Sequence, residues 1–258
     1  MTAKLPLPNW LQNRFQSKKA RRRLSDITRF AYFGPRPETA TSPGEIETLF
    51  WSNTGRVVHK WHHYLPLYER YFGPYRGKPL RMLEIGVFQG GSLDLWRRYF
   101  GPDAVLFGID IDPACAAFNG QSAQVRIGSQ EDAAFLRSVV AEMGGIDIVL
   151  DDGSHNSRHI RAGLDVLFPL LNDGGLYMIE DLHAAYWPNF SGGYDAPRGF
   201  MQVAKRMMDD MHHWYHRHGE QVAATAGHLA GMHLHDSILV LEKRAVAPPM
   251  HTQVGGAV

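Results

Sequence analysis

Short apolar runs alternate along most of the chain with segments whose apolar residues recur at helical spacing. The runs are rich in branched residues and bounded by glycines or turn residues, so they predict buried strands of a mainly parallel sheet. They lie at 81–85, 104–109, 123–127, 146–150, 176–179 and 237–242. The helical spacing predicts helices at about 90–100, 131–142, 157–171 and 196–218. This βαβ order predicts a doubly wound α/β sheet.

The limits of this alternation predict the domain organisation. Residues 1–43 are predicted to form an N-terminal arm, 44–246 a domain that opens with a helix to about residue 75, and 247–258 a disordered tail. The basic run at 18–23 lies among apolar residues at helical spacing, which predicts an amphipathic helix with a solvated basic face. Its alternatives are a nucleic-acid or anionic-lipid patch and docking of the apolar side on a partner subunit.

Two acidic clusters stand at the ends of neighbouring predicted strands. Asp151 and Asp152 begin an Asp-Asp-Gly-Ser-His sequence that ends at His155, and Glu180 with Asp181 follows the next run. The ligand crevice of such a sheet lies at the carboxyl ends of its strands, so these groups converge there. Carboxylates at that density repel one another unless a cation joins them. Helix caps or solvated rim groups would explain one acid well but the five positions together poorly, so we predict a functional site.

A glycine-containing loop follows the first predicted strand, beginning with Glu84 and Gly86. Glycines there permit a sharp turn and a close approach of the backbone to a ligand. Phe88 occupies the place of the middle glycine in a dinucleotide fingerprint, which weakens the case for a pyrophosphate. The acid at the strand end, Glu84, also suits a cationic or amine-bearing ligand better than a pyrophosphate. Asp110, after the second run, can accept both hydroxyls of a ribose. The polar loop 128–132 after the third run can contact an adenine edge.

In this order of motifs the chain resembles the class I S-adenosylmethionine-dependent methyltransferases. Over about residues 45–243 it is similar to the metal-dependent sugar O-methyltransferases of the macrocin and mycinamicin type. The family's Asp-Gly-Ser-His and Glu-Asp motifs are matched at 152–155 and 180–181. Bacterial polysaccharide methyltransferases, including those that act on mannose units, are also similar. The resemblance implies a Rossmann-like seven-stranded sheet, and S-adenosylmethionine with Mg²⁺ or Mn²⁺ as cofactors. It does not extend to the N-terminal helical arm, which is predicted from residue spacing alone.

The resemblance also implies roles for individual residues. His155 is the implied general base, and the implied metal ligands are Asp152, Glu180 and Asp181. The residues implied to line the cofactor are Glu84, Gly86, Ser92, Asp110, Ser129, Gln130 and Asp151. The implied reaction is methylation of a sugar hydroxyl in a glycoside, an antibiotic sugar or a polysaccharide, with the hydroxyl activated by the metal and deprotonated by histidine. Ligands drawn only from carboxylates favour Mg²⁺ or Mn²⁺ over zinc or copper.

An aromatic segment follows the second acidic cluster and contains His183, Trp187 and Tyr194. Beside a metal, such a loop suits a substrate lid whose rings stack on the C–H face of a sugar. The alternative is a hydrophobic plug or a dimer contact. The segment 60–64, with Tyr64, is a further candidate for the pocket, although the sequence does not place it.

Composition narrows the class of protein. The 258 residues are 44% hydrophobic with a formal net charge of +1, which favours neither nucleic acid nor a membrane surface as partner. No apolar stretch approaches the ~20 residues of a membrane span, and the N-terminus lacks the apolar core of a signal peptide. Cys115 is the single cysteine, and we predict a small buried hydrophobe. We expect a cytoplasmic homo-oligomer whose partner is a sugar-containing small molecule or oligosaccharide.

Three other functions stay open from the sequence. A non-haem iron oxygenase would use Asp152, His155 and His183 as two histidines and one carboxylate, but it leaves Glu180 and Asp181 without a role. A catechol-type O-methyltransferase shares the cofactor and the metal, so the sequence separates it poorly. A non-catalytic partner subunit that kept the fold would not need every site group intact.

Overall fold

A seven-stranded sheet forms the centre of the computed structural model, which describes residues 44–256. The strands are β1 Arg81–Ile85, β2 Val105–Asp110, β3 Gln124–Ile127, β4 Ile146–Asp151, β5 Leu171–Ile179, β6 Leu229–His235 and β7 Ile238–Lys243. Their order is β3-β2-β1-β4-β5-β7-β6. Strands β1 to β5 run parallel to one another, and β7 runs antiparallel to both β5 and β6. The predicted α/β class and the seven-stranded sheet are confirmed.

Helices cover both faces of this sheet. They are α1 Glu45–Trp51, α2 Leu65–Phe72, α3 Gly91–Phe100, α4 Ala133–Met143, α5 Ser157–Leu170 and α6 Phe200–Met211. Apolar residues of α1, α2 and α3 form one buried cluster with the sheet, and those of α4, α5 and α6 form another on its opposite face. Among the described residues, every helix is too short or too polar to cross a bilayer.

The predicted helix over 44–75 is wrong, because α1 ends at Trp51 and helical structure resumes only at the 3₁₀ turn His62–Tyr64. The Asn53 side chain accepts a hydrogen bond from the amide of Gly55 at 3.2 Å and donates one to the carbonyl of Arg56 at 2.8 Å. Asparagine and glycine are turn-forming residues, and this local bonding competes with the helix. We call the resulting extended segment, residues 52–61, the strap.

The C-terminal half departs from the prediction in three places. Helix α6 ends at Met211, well short of residue 218, and β6 was not predicted as a separate strand. A two-residue turn, Asp236 and Ser237, joins β6 to β7, and Ser237 has a φ of 65°. Strand β5 also begins earlier than predicted, at Leu171, which pairs with Ile146; residues 172–175 form an irregularity, with Gly174 at a φ of 82°, before regular pairing resumes at Leu176.

The outer segments add little to the described fold. The predicted N-terminal arm, with its basic helix at 18–23, lies outside the described residues. Residues 244–256 form neither helix nor strand, and disorder of the tail stays a prediction. Cys115 is buried, as predicted.

Candidate active site

A cavity of about 390 Å³ opens at the carboxyl ends of the parallel strands. Its wall is formed by the loop after β1, by Asp110 at the end of β2, by the residues that follow β4 and β5, and by residues 57–61 of the strap. Both acidic motifs and the glycine loop therefore border one space. This placement agrees with the crevice expected for a doubly wound sheet.

Gly86 makes the sharp turn that begins the glycine loop. Its φ is 96°, and a Cβ placed there would lie 2.2 Å from the carbonyl oxygen of Asp152. Its amide donates to the carbonyl of Ile109 at 2.8 Å, which ties the loop to β2. Only glycine satisfies both the dihedral angle and the close approach.

Asp110 faces the cavity as an ionised carboxylate. Burial alone would raise its pKa, but hydrogen bonds from the backbone amides of Asp112, Val87 and Phe88 outweigh burial and lower the pKa. One oxygen accepts from Val87 at 2.8 Å and from Phe88 at 3.1 Å. Hydrogen bonds that favour the charged form of an acid lower its pKa in this way. Asp110 therefore links the glycine loop to the end of β2.

Glu84 lies behind the cavity wall rather than in it. It is fully buried and accepts hydrogen bonds from the Ser92 hydroxyl at 2.8 Å and from the Trp96 indole at 3.1 Å. Burial raises its pKa to about 7, although the opposing charge of Lys60 limits the rise. Ser92 itself lines the cavity. Glu84 thus holds the start of α3 against β1.

Asp151 and Gln130 also lie behind the wall. Asp151 accepts hydrogen bonds from the Gln130 amide and from the Tyr177 hydroxyl, each at 3.3 Å. Burial raises the pKa of Asp151 to about 6. The Gln130 oxygen accepts from the amide of Ser154 at 3.2 Å, and the Ser129 hydroxyl accepts from the amide of Glu131 at 3.1 Å. Of the predicted cofactor residues, Gly86, Ser92 and Asp110 line the cavity; the other four shape its loops, and their contact with a cofactor stays a prediction.

Asp152, His155 and Asp181 form a group with the dimensions of a metal site. One ligand atom from each lies within 4.8 Å of the other two. The Nε2 atom of His155 is 4.0 Å from Oδ1 of Asp152 and 3.6 Å from Oδ2 of Asp181. Carboxylate oxygens are ligands that hard divalent cations prefer. The third residue of this group is His155, while the predicted third ligand, Glu180, lies outside it; metal ligation by Glu180 stays a prediction.

Glu180 is instead fully bonded within the protein. Its Oε1 accepts from the Tyr68 hydroxyl at 2.5 Å, and its Oε2 accepts from the ammonium of Lys60 at 2.9 Å. The same ammonium lies 2.5 Å from Oδ2 of Asp152. Burial acts to lower the pKa of Lys60, but the charges of Asp152, Glu180 and Glu84 outweigh burial and raise it. Lys60 is a site residue whose role the sequence did not predict.

Tyr64, a predicted substrate residue, acts on Asp181. Its hydroxyl donates to Oδ1 of Asp181 at 2.7 Å, and the Trp61 indole donates to the same oxygen at 3.1 Å. Burial and the nearby Asp181 raise the pKa of Tyr64 well above its usual value. Asp181 therefore has one oxygen held by protein donors and the other directed toward His155.

The remaining predicted substrate residues lie beside the cavity, outside its lining. The His183 ring lies 5.7 Å from Trp61 and 5.0 Å from Trp187, and its Nδ1 is 2.5 Å from the Ser237 hydroxyl. Tyr194 is 43% exposed. Because His183 is outside the ion-binding group, the iron-oxygenase alternative lacks its second histidine. Substrate contact by His183, Trp187 and Tyr194 stays a prediction.

Comparison with known proteins identifies relatives of matching sequence. No family model matches the chain. The chain is 38% identical over 217 residues to 8-demethyl-8-(2-methoxy-alpha-L-rhamnosyl)-tetracenomycin-C 3'-O-methyltransferase of Streptomyces olivaceus, covering 79% of this chain and 55% of the relative. It is 34% identical over 199 residues to demethylmacrocin O-methyltransferase of Streptomyces fradiae, covering 71% and 50%. The chain thus spans about half the length of the curated relatives it matches.

A solved structure matches in fold as well. The MycE methyltransferase of the mycinamycin biosynthetic pathway, in complex with Mg, SAH and mycinamycin VI, aligns with a TM-score of 0.68 and 30% identity, covering 78% of this chain and 53% of that one. Agreement in sequence and in fold extends over most of the described domain. Over this shared part, the chain is homologous to the macrocin- and mycinamicin-type sugar O-methyltransferases.

Proposed function

We propose that this chain is an S-adenosylmethionine-dependent, divalent-metal-dependent O-methyltransferase that acts on a sugar hydroxyl. The observation that carries the proposal is that one cavity joins the Gly86–Asp110 end to the Asp152–Asp181 end. A methyl donor and an acceptor hydroxyl held at these two ends are brought together. The names of the relatives, which methylate rhamnosyl and macrolide glycosides, and the Mg and SAH of the MycE complex support it.

The glycine loop and Asp110 suit the adenosine end of the donor. Gly86 lets the backbone approach a ligand closely, and Asp110 is an ionised acceptor placed to bind both hydroxyls of a ribose. S-Adenosylmethionine supplies an already activated methyl group when bound. Ser92 lines the same wall, while Glu84 and Asp151 keep the loops in place from behind.

The second end of the cavity suits a hard cation. Oδ1 of Asp152 and Oδ2 of Asp181 border the same space, and two carboxylate oxygens so placed suit Mg²⁺ or Mn²⁺. Glu180 is joined to Asp152 through the ammonium of Lys60, which contacts both carboxylates. A divalent ion supplies, when bound, the Lewis acidity that lowers the pKa of an acceptor hydroxyl. His155, beside both carboxylates, accepts the proton of that hydroxyl as general base.

A sugar is the acceptor we favour over a catechol. The relatives whose sequences match act on the sugars of glycosides, by their names. The aromatic segment 182–194 lies beside the acidic cluster, where Trp187 and Tyr194 can stack on the C–H face of a sugar. Assembly as a homo-oligomer belongs to the same proposal, since the aromatic segment also suits a contact between subunits.

Activity measurements with and without metal test the proposal. Purified protein should bind SAH by calorimetry and methylate members of a panel of rhamnosides and macrolide glycosides. Exhaustive chelation should abolish turnover, and Mg²⁺ should restore it. Full turnover after chelation would exclude the metal, and methylation of catechols alone would favour the catechol alternative.

The role of His155 has its own test. His155→Asn should lower the rate of methylation by about 10²–10⁴-fold, because the base is lost. Its affinity for SAH should change less than about threefold, since His155 lies at the opposite end of the cavity from Asp110. His218→Asn, at an exposed position, is the matched control. Wild-type turnover in His155→Asn would contradict the assignment.

A further inference from the structure

The ammonium of Lys60 lies inside the carboxylate cluster. Its side chain is 3% exposed, and Nζ lies 2.5 Å from Oδ2 of Asp152 and 2.9 Å from Oε2 of Glu180. The other oxygen of Asp152, Oδ1, is the one that faces His155. Lys60 therefore binds one oxygen of Asp152 and leaves the other, Oδ1, directed toward His155.

Asp152 and Glu180 need a positive partner in the folded protein. They follow the neighbouring parallel strands β4 and β5, and Glu180 is 1% exposed. Without Lys60, the Tyr68 hydroxyl would be the remaining side-chain donor to Glu180 among the described residues. A buried carboxylate left without its cationic partner strongly destabilises a fold.

Lys60 reaches the cluster from a distant part of the chain. It lies in the strap, one residue before its end, and is 92 residues from Asp152 and 120 residues from Glu180 in sequence. Its two contacts join the strap to the ends of both strands.

We propose that Lys60 is a positioning residue whose ammonium acts as a built-in counter-cation, holding Asp152 and Glu180 in place when no divalent ion is bound. The site is then assembled before the metal arrives, and folding does not depend on the metal. The part that concerns the metal rests on the proposed function. The part that concerns the metal-free fold does not.

Thermal unfolding in EDTA tests the metal-free part. Lys60→Met should lower the Tm by about 10 °C, because it leaves buried carboxylates uncompensated. Lys78→Met, at an exposed position, is the matched control and should stay within about 2 °C of the wild type. The double variant Lys60→Met/Glu180→Gln removes one charge of each sign and should recover at least half of the loss. A Tm of Lys60→Met equal to that of Lys78→Met would overturn the proposal.

Titration with Mn²⁺, followed by its electron paramagnetic resonance signal and by Tm, tests the competition with metal. Removal of a nearby cation should tighten Mn²⁺ binding by about tenfold or more, and Mn²⁺ should raise the Tm of Lys60→Met further than that of the wild type. Equal or weaker Mn²⁺ binding in Lys60→Met would contradict the counter-cation role.

Two further outcomes are decisive. If Lys60→Met does not fold in EDTA, folding on addition of Mn²⁺ supports the proposal, whereas a double variant that also fails to fold overturns it. A wild-type protein that binds no Mn²⁺ would count against the proposed function, and the measurement in EDTA would still decide the role of Lys60.

Discussion

Three residues other than glycine adopt left-handed backbone at the edge of the cavity. Phe88, His155 and Asp181 have φ values of 51°, 54° and 54°. Such conformations are uncommon outside glycine, and strained residues concentrate at functional sites. At His155 and Asp181 this backbone conformation turns the chain soon after β4 and β5. Nε2 of His155 then lies 3.6 Å from Oδ2 of Asp181. The strain is thus located at the residues of the proposed metal site.

At the same scale, Gly86 is the position where a single methyl group should do most harm. In Gly86→Ala the Cβ would overlap the carbonyl of Asp152 at a φ of 96°. We expect a loss of about 2–4 kcal/mol in the free energy of unfolding and at least about a hundredfold weaker SAH binding. Urea unfolding and calorimetry measure both. Gly77→Ala has a φ of 65° but open space around it, so it should lose only about 1–2 kcal/mol; equal losses would contradict the steric explanation.

The raised pKa of Glu84 predicts that the stability of the fold depends on pH. Its pKa is raised by burial from 4.5 to about 7, so the folded protein keeps a proton that the unfolded chain releases between these values. Wild-type stability should therefore fall by on the order of 3 kcal/mol from this group as pH rises from 4.5 to 7. Glu84→Gln cannot ionise, so its stability relative to wild type should rise over that interval and then level off.

Urea unfolding between pH 4.5 and 8 measures this difference. The exposed variant Glu220→Gln should follow the wild type at every pH. A difference between Glu84→Gln and wild type that is independent of pH would show that Glu84 is already ionised at pH 4.5 in the folded protein.

At the scale of elements, Lys243 joins strand β7 to the end of helix α5. Its Nζ donates to the carbonyls of Pro169 and Leu171, each at 2.6 Å. These lie at the C-terminus of the helix, where carbonyls lack intrahelical partners and a positive charge is favourable. Lys243→Met should lower the free energy of unfolding by about 2 kcal/mol. Urea unfolding beside the exposed variant Lys205→Met checks it; equal stabilities would contradict the capping role.

Elements with a regular pattern were predictable, and those shaped by single contacts were not. The strands that carry the acidic motifs have continuous apolar runs, which tertiary contacts only reinforce. The helix expected over 44–75 was interrupted by side-chain bonding of Asn53, a local competition that periodicity does not detect. Strand β6 contains Gly231 and His233 and lies at the sheet edge, so its apolar pattern is weak.

The candidate site was likewise predictable only for the residues that stand at strand ends. Asp152, Asp181, His155 and Asp110 stand at strand ends, and the sheet geometry brings them to one cavity. Lys60 gives no such signal, because nothing in a polar segment 92 residues away indicates which carboxylate it will reach. Glu180 was expected to be equivalent to its neighbours, and only the fold shows that Lys60 and Tyr68 occupy its oxygens.

At the scale of the whole molecule, the two apolar clusters lie on opposite faces of the sheet. Strands β1, β2, β4, β5 and β7 supply side chains to both clusters, and β1 and β4 lie at the centre of the sheet. Hydrogen exchange should therefore be slowest for amides of β1 and β4, which are paired on both sides, and fastest over 244–256. Exchange by mass spectrometry at neutral pH measures it. If β4 exchanged as fast as the edge strand β6, the central strands would not be the last part to open.

The turn between β6 and β7 supports the residues that follow the second acidic motif, so part of the site depends on a segment that is synthesised later. The carbonyl of Ser237 accepts from the amide of Leu182 at 3.0 Å, and its hydroxyl accepts from the amide of His183 at 3.2 Å. A nascent chain that has emerged only to residue 220 contains both acidic motifs and the glycine loop, but not the hairpin that braces the residues after Asp181. Competence to bind the acceptor should therefore arise late on the ribosome, after the last two strands have paired.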